Sequence, residues 1–324
     1  MSWSTNLSAQ NIQTGSYQFH QLTPEDGLSQ VSISCLLKDK RGYIWVGTQD
    51  GLNRYDGDRF TVFKHQSTDS TSIQGSSINC LLEDDLGRIW VGTINNGVSI
   101  YYPDENIFIH PKFPNSNNLT VTALVKSQNH TIYVGSRNQG LYQIKEIGKH
   151  VFSNTRLHQP NDAIQSIHGL LLLDENRLLI GGEGIVTQMD PLNAIEPIRK
   201  LPITGLRGPV KRFATDQKDR IWVGSESGLW TYHIQSKASA AQALDNLQGP
   251  DRQHVYEIND LSYIDHKLWV GAGHGLFILS DWNAADQHFT NIESYQHHPS
   301  QPSSISHNSV QAILKTDRLI YIGT

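Results

Sequence analysis

The sequence predicts an all-β protein, a seven-bladed β-propeller of four-stranded antiparallel blades, and three features carry that expectation. One motif recurs seven times, beginning with "YIWVGT" at Tyr43–Thr48 and ending with "LIYIGT". Its aligned central residues are Trp45, Trp90, Tyr133, Leu179, Trp222, Trp269 and Tyr321, at spacings of 43 to 52 residues. The apolar runs are short, alternate with polar residues and are rich in Val, Ile, Tyr, Phe and Trp, which is strand chemistry. Gly, Asp and Asn punctuate them, and the nearest approach to an amphipathic helix is "ASAAQALDNL", Ala238–Leu247, expected as a helical turn in a loop. Four short strands repeated at about 45 residues specify a propeller, because one such sheet cannot bury both faces and a closed ring of them can.

Each repeat opens on an inner run, such as "VSISCLLKD", "SINCLLED", "VTALVKS", "VKRFATD" or "SVQAILKTD". A polar turn follows ("KDKRG", "EDDLG", "SQNH", "TDQKD"), then the "IWVGT" run, a short loop and a "GLxxY" run. Several copies close on an outer run, as in "RFTVFKH" and "NIFIHPKF". Alternation puts Ile44 and Val46 toward one neighbouring blade and Trp45 and Gly47 toward the other. A bulky ring beside a glycine lets the next blade nest against it. Cys35 and Cys80 hold the same place in the inner runs of adjacent repeats. A disulfide needs Cα atoms within about 7 Å, so both are expected as free, buried thiols.

Ser16–Thr23, "SYQFHQLT", resembles an outer run and is expected to close the seventh blade from the N-terminal side. The inner strands of that blade are "NSVQAILKT" and "RLIYIGT"; its third strand would lie past Thr324. The last blade is therefore expected to be incomplete, and the chain a fragment of a longer protein. Residues 1–15 read as a flexible or added N-terminus, and residues 16–324 as one propeller domain with blades centred near 45, 90, 133, 179, 222, 269 and 321.

A formal net charge of −5 and 18% charged residues, with no basic stripe, argue against nucleic-acid binding. No CxxC pair or HExxH spacing points to a metal, and His297, His298 and His307 lie in a polar, proline-containing loop. No apolar run approaches a membrane span, so no membrane contact is expected of these residues. No signal-peptide h-region is visible at the N-terminus. The glycine-rich "GTQDG" is not a phosphate cradle, since such a loop precedes a helix and this one joins two strands.

The loops between second and third strands all open on one propeller face. They place Gln49, Asp50, Asn95, Asn96, Arg137, Asn138, Gln139, Glu183, Glu226, Ser227 and His274 in a ring about the axis. Amide, carboxylate, guanidinium and imidazole groups suit a polar small molecule or an oligosaccharide. The bland reading of the same residues is hairpin turn chemistry. Glu183 and Glu226 form a weak carboxylate pair with no evident acid/base partner. No catalytic residue and no cofactor is assigned.

Phe19–Phe63, "FHQLTPEDGLSQVSISCLLKDKRGYIWVGTQDGLNRYDGDRFTVF", resembles the two-component regulator propeller family. That family carries an "F-x-x-L-t-x-x-d-G-L-s" lead followed by "D-x-x-G-x-I/L-W-V/I-G-T-x-x-G-L-x-x-Y". The second repeat, within Ile73–Tyr102, matches as "SINCLLEDDLGRIWVGTINNGVSIYY". The fifth and sixth match in part, the third has His130 for the turn glycine, and the fourth departs furthest with "LLIGGEGI". The resemblance implies a periplasmic, non-catalytic sensor region of a bacterial membrane receptor, followed by an immunoglobulin-like module, a transmembrane helix and a histidine kinase or diguanylate cyclase output. Its implied partners are a ligand, the rest of the receptor and, as one arrangement, a second copy. Two other classes are kept open: an enzyme resembling streptogramin lyases, needing a cluster such as His274 with Glu226, and an interaction scaffold like WD-repeat propellers.

Overall fold

Every "IWVGT" run is a fully buried strand, and its neighbours explain the residue choices. In a computed structural model, residues 12–14, 17–113, 118–158, 166–193, 198–216, 218–235, 242–243, 257–283 and 288–324 are described. A strand β1 (Ile12–Thr14) precedes six antiparallel blades. The first is β2 (Ile33–Lys38), β3 (Ile44–Thr48), β4 (Gly51–Tyr55) and β5 (Phe60–Phe63). The second is β6 (Ile78–Glu83), β7 (Ile89–Thr93), β8 (Val98–Tyr102) and β9 (Ile107–Ile109). The third is β10 (Val121–Lys126), β11 (Ile132–Ser136), β12 (Gly140–Gly148) and β13 (Val151–His158). The fourth is β14 (Gly169–Asp174), β15 (Arg177–Gly181), β16 (Val186–Met189) and β17 (Arg199–Lys200). The fifth is β18 (Val210–Thr215), β19 (Arg220–Ser225), β20 (Gly228–His233) and β21 (Gln242–Ala243). The sixth is β22 (Ile258–Ile264), β23 (Lys267–Ala272), β24 (Gly275–Asn283) and β25 (His288–Tyr295), and a hairpin, β26 (Ala312–Lys315) with β27 (Ile320–Gly323), follows.

The expected count of seven blades is thus corrected to six four-stranded blades among the described residues, and the seventh, expected to be incomplete, is a two-stranded hairpin. The expected closure by Ser16–Thr23 also fails. β1 pairs in parallel with β25, the outer strand of the sixth blade. Tyr17 and Phe19 pack their rings 5.8 and 5.4 Å from Tyr295, and Tyr17 also meets Trp269 at 5.5 Å. An outer strand lies two strand widths, roughly 10 Å, from a second strand, so without a third strand it has no ladder to join. The aromatic surface of the sixth blade takes the segment instead. The helical turn expected at Ala238–Leu247 is replaced at Gln242–Ala243 by strand pairing with Thr231 and Trp230; the rest of it lies outside the described residues.

Blades meet through the glycine of the central motif. A Cβ on Gly47 would come 2.7 Å from Ile78 Cγ2, at the start of the next inner strand. The same contact recurs between Gly92 and Val121, Gly135 and Ile167, Gly181 and Val210, Gly224 and Ile258, and Gly271 and Val310. It recurs a last time between Gly323 of the hairpin and Ile33 of the first blade. A β-branched side chain fills the notch that each glycine leaves. The two faces of the first blade divide as alternation requires. Trp45 packs with Ile78, Ile89 and Val91 of the second blade, and Ile44 and Val46 pack with Leu314 and Tyr321 of the hairpin. The hairpin therefore stands between the sixth and first blades and shares core with both.

The turn between first and second strands explains the Asp and Trp of the motif. Asp39 accepts the Tyr43 N–H at 2.9 Å and the Trp45 Nε1–H at 2.7 Å. Asp84 repeats this with the Arg88 N–H at 3.0 Å and Trp90 Nε1–H at 2.8 Å, and adds Arg88 Nε at 2.6 Å. One buried carboxylate thus closes the turn and satisfies the indole. Gly42 and Gly87 take the left-handed conformation at the end of the turn. His130, in the glycine's place in the third repeat, adopts it too, at φ 61°, beside Asp85. Cys35 and Cys80 are free and buried, and burial pushes the Cys35 thiol up to about 11 and Cys80 higher still.

Candidate functional site

The turn joining second to third strand in each blade lies against the connection that enters the next blade. Gly51 N–H donates to Ser76 O, Gly97 N–H to Leu119 O, Ile167 N–H to Ser136 O, Gly184 N–H to Gly208 O, and Glu257 N–H to Glu226 O. Turns and connections therefore share one face, and the residues expected there are mostly exposed on it. The turns do not gather into one cluster. Instead most are tied to the adjoining connection.

Asp50 pairs with Lys64, just past the outer strand, at 2.6 Å, and Gln49 beside it is exposed. Asn95, at φ 67°, accepts the Thr120 hydroxyl at 2.9 Å. Asn96 covers Gly75, where a Cβ would lie 2.6 Å from its Oδ1. Asn138 meets Ser166 at 3.4 Å, and the Gln139 N–H donates to Ser136 Oγ at 3.2 Å. Glu226 Oε2 lies over Gly208, and Ser227 Oγ takes the Arg207 N–H at 2.9 Å. His274 offers its carbonyl to Gln296, and no hydrogen bond or ion pair joins it to Glu226 among the described residues. For these positions the turn-chemistry reading accounts for the contacts seen. Arg137 and Glu183 are different. Glu183 Oε2 accepts from His168 Nε2 at 3.1 Å, and the Arg137 guanidinium is exposed.

A second ring lies closer to the axis. Each inner strand touches the inner strands on either side, so these strands line the axis. Directly after each β-branched residue that fills a glycine notch stands a polar one: Ser34, Asn79, Thr122, His168, Lys211, Asn259 and Gln311. In five of these blades the ladder slips there, skipping Ser34, Asn79, Thr122, Lys211 and Asn259. A bulge frees one side chain from the alternation and re-aims it. In the first three blades the freed group bonds the next blade. Ser34 Oγ donates to Ile78 O at 2.7 Å, Asn79 Nδ2 to Val121 O at 2.7 Å, and Thr122 Oγ1 to Ile167 O at 2.6 Å.

Beyond the third blade the pattern changes. Lys211 Nζ reaches Asn259 Oδ1 at 3.1 Å, Gln311 turns to its own neighbour Ser309, and His168 to Glu183. Burial holds the His168 imidazole below its ordinary value, against the pull of Glu183; Arg137 and Lys211 press the same way as burial. One step deeper, Asp260 takes Arg212 Nε at 3.1 Å on one oxygen and the Ile313 N–H at 2.7 Å on the other. Sequence reasoning named the turns and missed this inner ring. The signal was present as a polar residue at one fixed place in every inner run, masked because a strict two-residue alternation does not expect it to face the axis.

A cavity of about 170 Å³ lies elsewhere, between the sixth blade and the hairpin, lined by Tyr17, Trp269 and Lys315–Ile320 among others. Ligand pockets run to roughly 300–1,000 Å³, so it is small for a metabolite. His297 of the polar loop is engaged in its turn, with Nδ1 2.9 Å from Ile305 O. No group of three or more His, Cys, Asp or Glu side chains placed to hold a metal occurs among the described residues. None of the described helices is long and apolar enough to cross a membrane.

Comparison with known proteins places these features in a lineage. Residues 27–50 and 72–95 match the two-component regulator propeller family. A stretch of 60 residues is 45% identical to Histidine kinase P4 of Formosa agariphila, covering 18% of this chain and 4% of that one. The fold matches the extracellular domain of the putative hybrid two-component system BT3049 from B. thetaiotaomicron, with TM-score 0.75 and 20% identity over 95% of this chain and 41% of that one. The extracellular domain of BT4673 from the same organism matches with TM-score 0.71, also at 20% identity, over 95% of this chain and 39% of that one. The WD40 repeats of RRP9 match with TM-score 0.64 at 13% identity, over 88% of this chain and 84% of that one. At such identities the likeness speaks for the propeller fold. The chain spans less than half the length of the signalling proteins it matches.

Proposed function

Residues 27–50 and 72–95 being two-component regulator propeller repeats, we propose that this chain is a ligand-sensing, non-catalytic propeller from the periplasmic side of a bacterial membrane signalling receptor. The observation that carries the reading is the division of the axial ring. Three polar groups are committed to blade-to-blade bonds, whereas His168, Lys211, Asn259 and Gln311 keep hydrogen-bonding capacity at the open face. A polar small molecule or oligosaccharide seated there would touch several blades at once. It would act on output by binding two arrangements of the receptor with different affinity.

A thermal-shift screen of sugars and small polar metabolites tests this. A ligand at a hundred times its dissociation constant stabilises the domain by about 2.7 kcal/mol, a shift of several degrees at most for a chain of this size. No stabilisation across a broad panel would remove the ligand-sensing reading. Turnover of a bound compound would remove the non-catalytic one. Location is tested on the full-length gene product: these residues should be cut by protease added to spheroplasts, with the protein itself in the membrane fraction.

A further inference from the structure

The open face of the third to fifth blades is rich in cations that have no carboxylate partner. Among the cations paired elsewhere are Lys38 with Asp317, Arg41 with Asp104, Lys126 with Asp85, Lys267 with Glu293, and Lys315 with Asp265. Lys211 Nζ, by contrast, has the neutral Asn259 Oδ1 as its hydrogen-bond partner. No ion pair engages Arg137 or Arg207 among the described residues, and both are exposed on this face. Gly169 draws the blades close here, since a Cβ on it would lie 2.7 Å from Lys211 O. His168 and Lys211 therefore occupy matching positions on inner strands in direct contact. The carboxylate of Glu183 is engaged by His168 at 3.1 Å. Glu226 and Glu257 lie on the neighbouring turn and connection, over Gly208 and Gly273, and bond neither Lys211 nor Arg137.

We propose that Lys211 and Arg137, with His168 at its edge, form an anion subsite at the axial mouth, which receives a carboxylate or sulfate group of the sensed ligand. Lys211 comes from a bulged inner strand and Arg137 from a hairpin turn, so the two reach the mouth from separate rigid elements. The ammonium supplies a compact charge and the guanidinium a planar fork for two oxygens. His168, its Nε2–H donated to Glu183, borders the subsite as a positioning residue and gives the anion no hydrogen bond of its own. This subsite deepens the ligand-sensing reading and rests on it.

The test is isothermal titration of the wild-type domain, Lys211→Met and Arg137→Gln with four probes: trigalacturonate, a sulfated chondroitin disaccharide, maltotriose and xylotriose. Lys211→Met keeps the apolar stem, and Lys315→Met on the far side serves as control. Binding of trigalacturonate or the sulfated disaccharide is expected, weakened at least tenfold by either substitution and unchanged by the control. The probe that binds identifies the carboxylate or the sulfate as the group received. Acidic-probe binding that survives both substitutions overturns the subsite. Binding of the neutral sugars alone, equal in wild type and Lys211→Met, overturns it while leaving ligand sensing intact. No binding by any of the four overturns the subsite, and only the broad thermal-shift panel then decides the wider reading.

Discussion

At the residue scale, one buried carboxylate decides how firmly a blade turn is held. Asp84 satisfies the Trp90 indole and the Arg88 guanidinium together, in a pair whose side chains are 7% and 10% exposed. Arg88 also reaches Glu146 of the third blade and the Tyr102 hydroxyl. Removing Asp84 leaves the buried indole N–H unpaired and Arg88 with Glu146 as its remaining carboxylate, and breaking a buried pair costs up to about 3–5 kcal/mol. Asp84→Ala is therefore expected to lower urea-unfolding stability by that order. Asp216, the counterpart in the fifth blade, accepts the amides of Lys218, Asp219 and Arg220, but Trp222 Nε1 has no hydrogen-bond partner. Asp216→Ala should then cost about 1–2 kcal/mol, the worth of ordinary turn hydrogen bonds. Equal losses at the two positions would show that the indole and Arg88 bonds of Asp84 contribute nothing. The sequence displayed both aspartates as turn residues. What it did not display was that an acid six positions before a Trp folds back on the indole, because that depends on the width of the hairpin rather than on any local preference.

At the element scale, the lock between blades is a glycine facing a β-branched residue. A Cβ at Gly92 would lie 2.5 Å from Cys80 Sγ and 2.7 Å from Val121 Cγ1. Forced overpacking of this kind costs about 1–3 kcal/mol, so Gly92→Ala is expected to destabilise by that amount. Val121→Ala removes the side chain that fills the notch and should cost about 2 kcal/mol or more by itself. Because each change relieves the other, the double variant should be less destabilised than the sum, and strict additivity would show that the two side chains do not share that space. This layer of the fold was largely legible. The Trp–Gly pair, the alternation and the repeat length announce themselves by recurrence, and the inner strands of the first, second, third and fifth blades fall where the runs "VSISCLLKD", "SINCLLED", "VTALVKS" and "VKRFATD" stand. The bulge at the start of those strands was not legible, since Ser34, Asn79 and Lys211 read locally as solvent-facing residues of a two-residue period. The axial ring was missed for that reason: turns advertise polar residues, whereas the ring is assembled from one residue per strand.

At the scale of the whole molecule, the ring is joined where it is thinnest. Seven motif copies were visible, and the last contributes two of the described strands. The hairpin β26–β27 is held from one side by Gly323 against Ile33, with Ile33 N–H donating to Thr324 O at 3.2 Å. From the other side it is held by Asp260, whose carboxylate bridges Arg212 of the fifth blade and the Ile313 N–H of β26. Burial pushes the Asp260 carboxyl above its ordinary value, while Arg212 and the Ile313 and Leu261 amides pull it down. One acid thus couples three consecutive inner strands at the seam. Asp260→Ala should release the hairpin before it unfolds any complete blade, because subglobal openings follow the elements with the fewest contacts. Hydrogen exchange at Ile313 and Ile322 is expected to accelerate by tenfold or more, with Val91 and Val134 in the second and third blades unchanged. Asp260→Asn, which keeps an acceptor for the Ile313 N–H, should restore most of the protection at Ile313. Acceleration spread evenly over all blades would mean that the seam has no stability of its own and that the ring opens only as a unit.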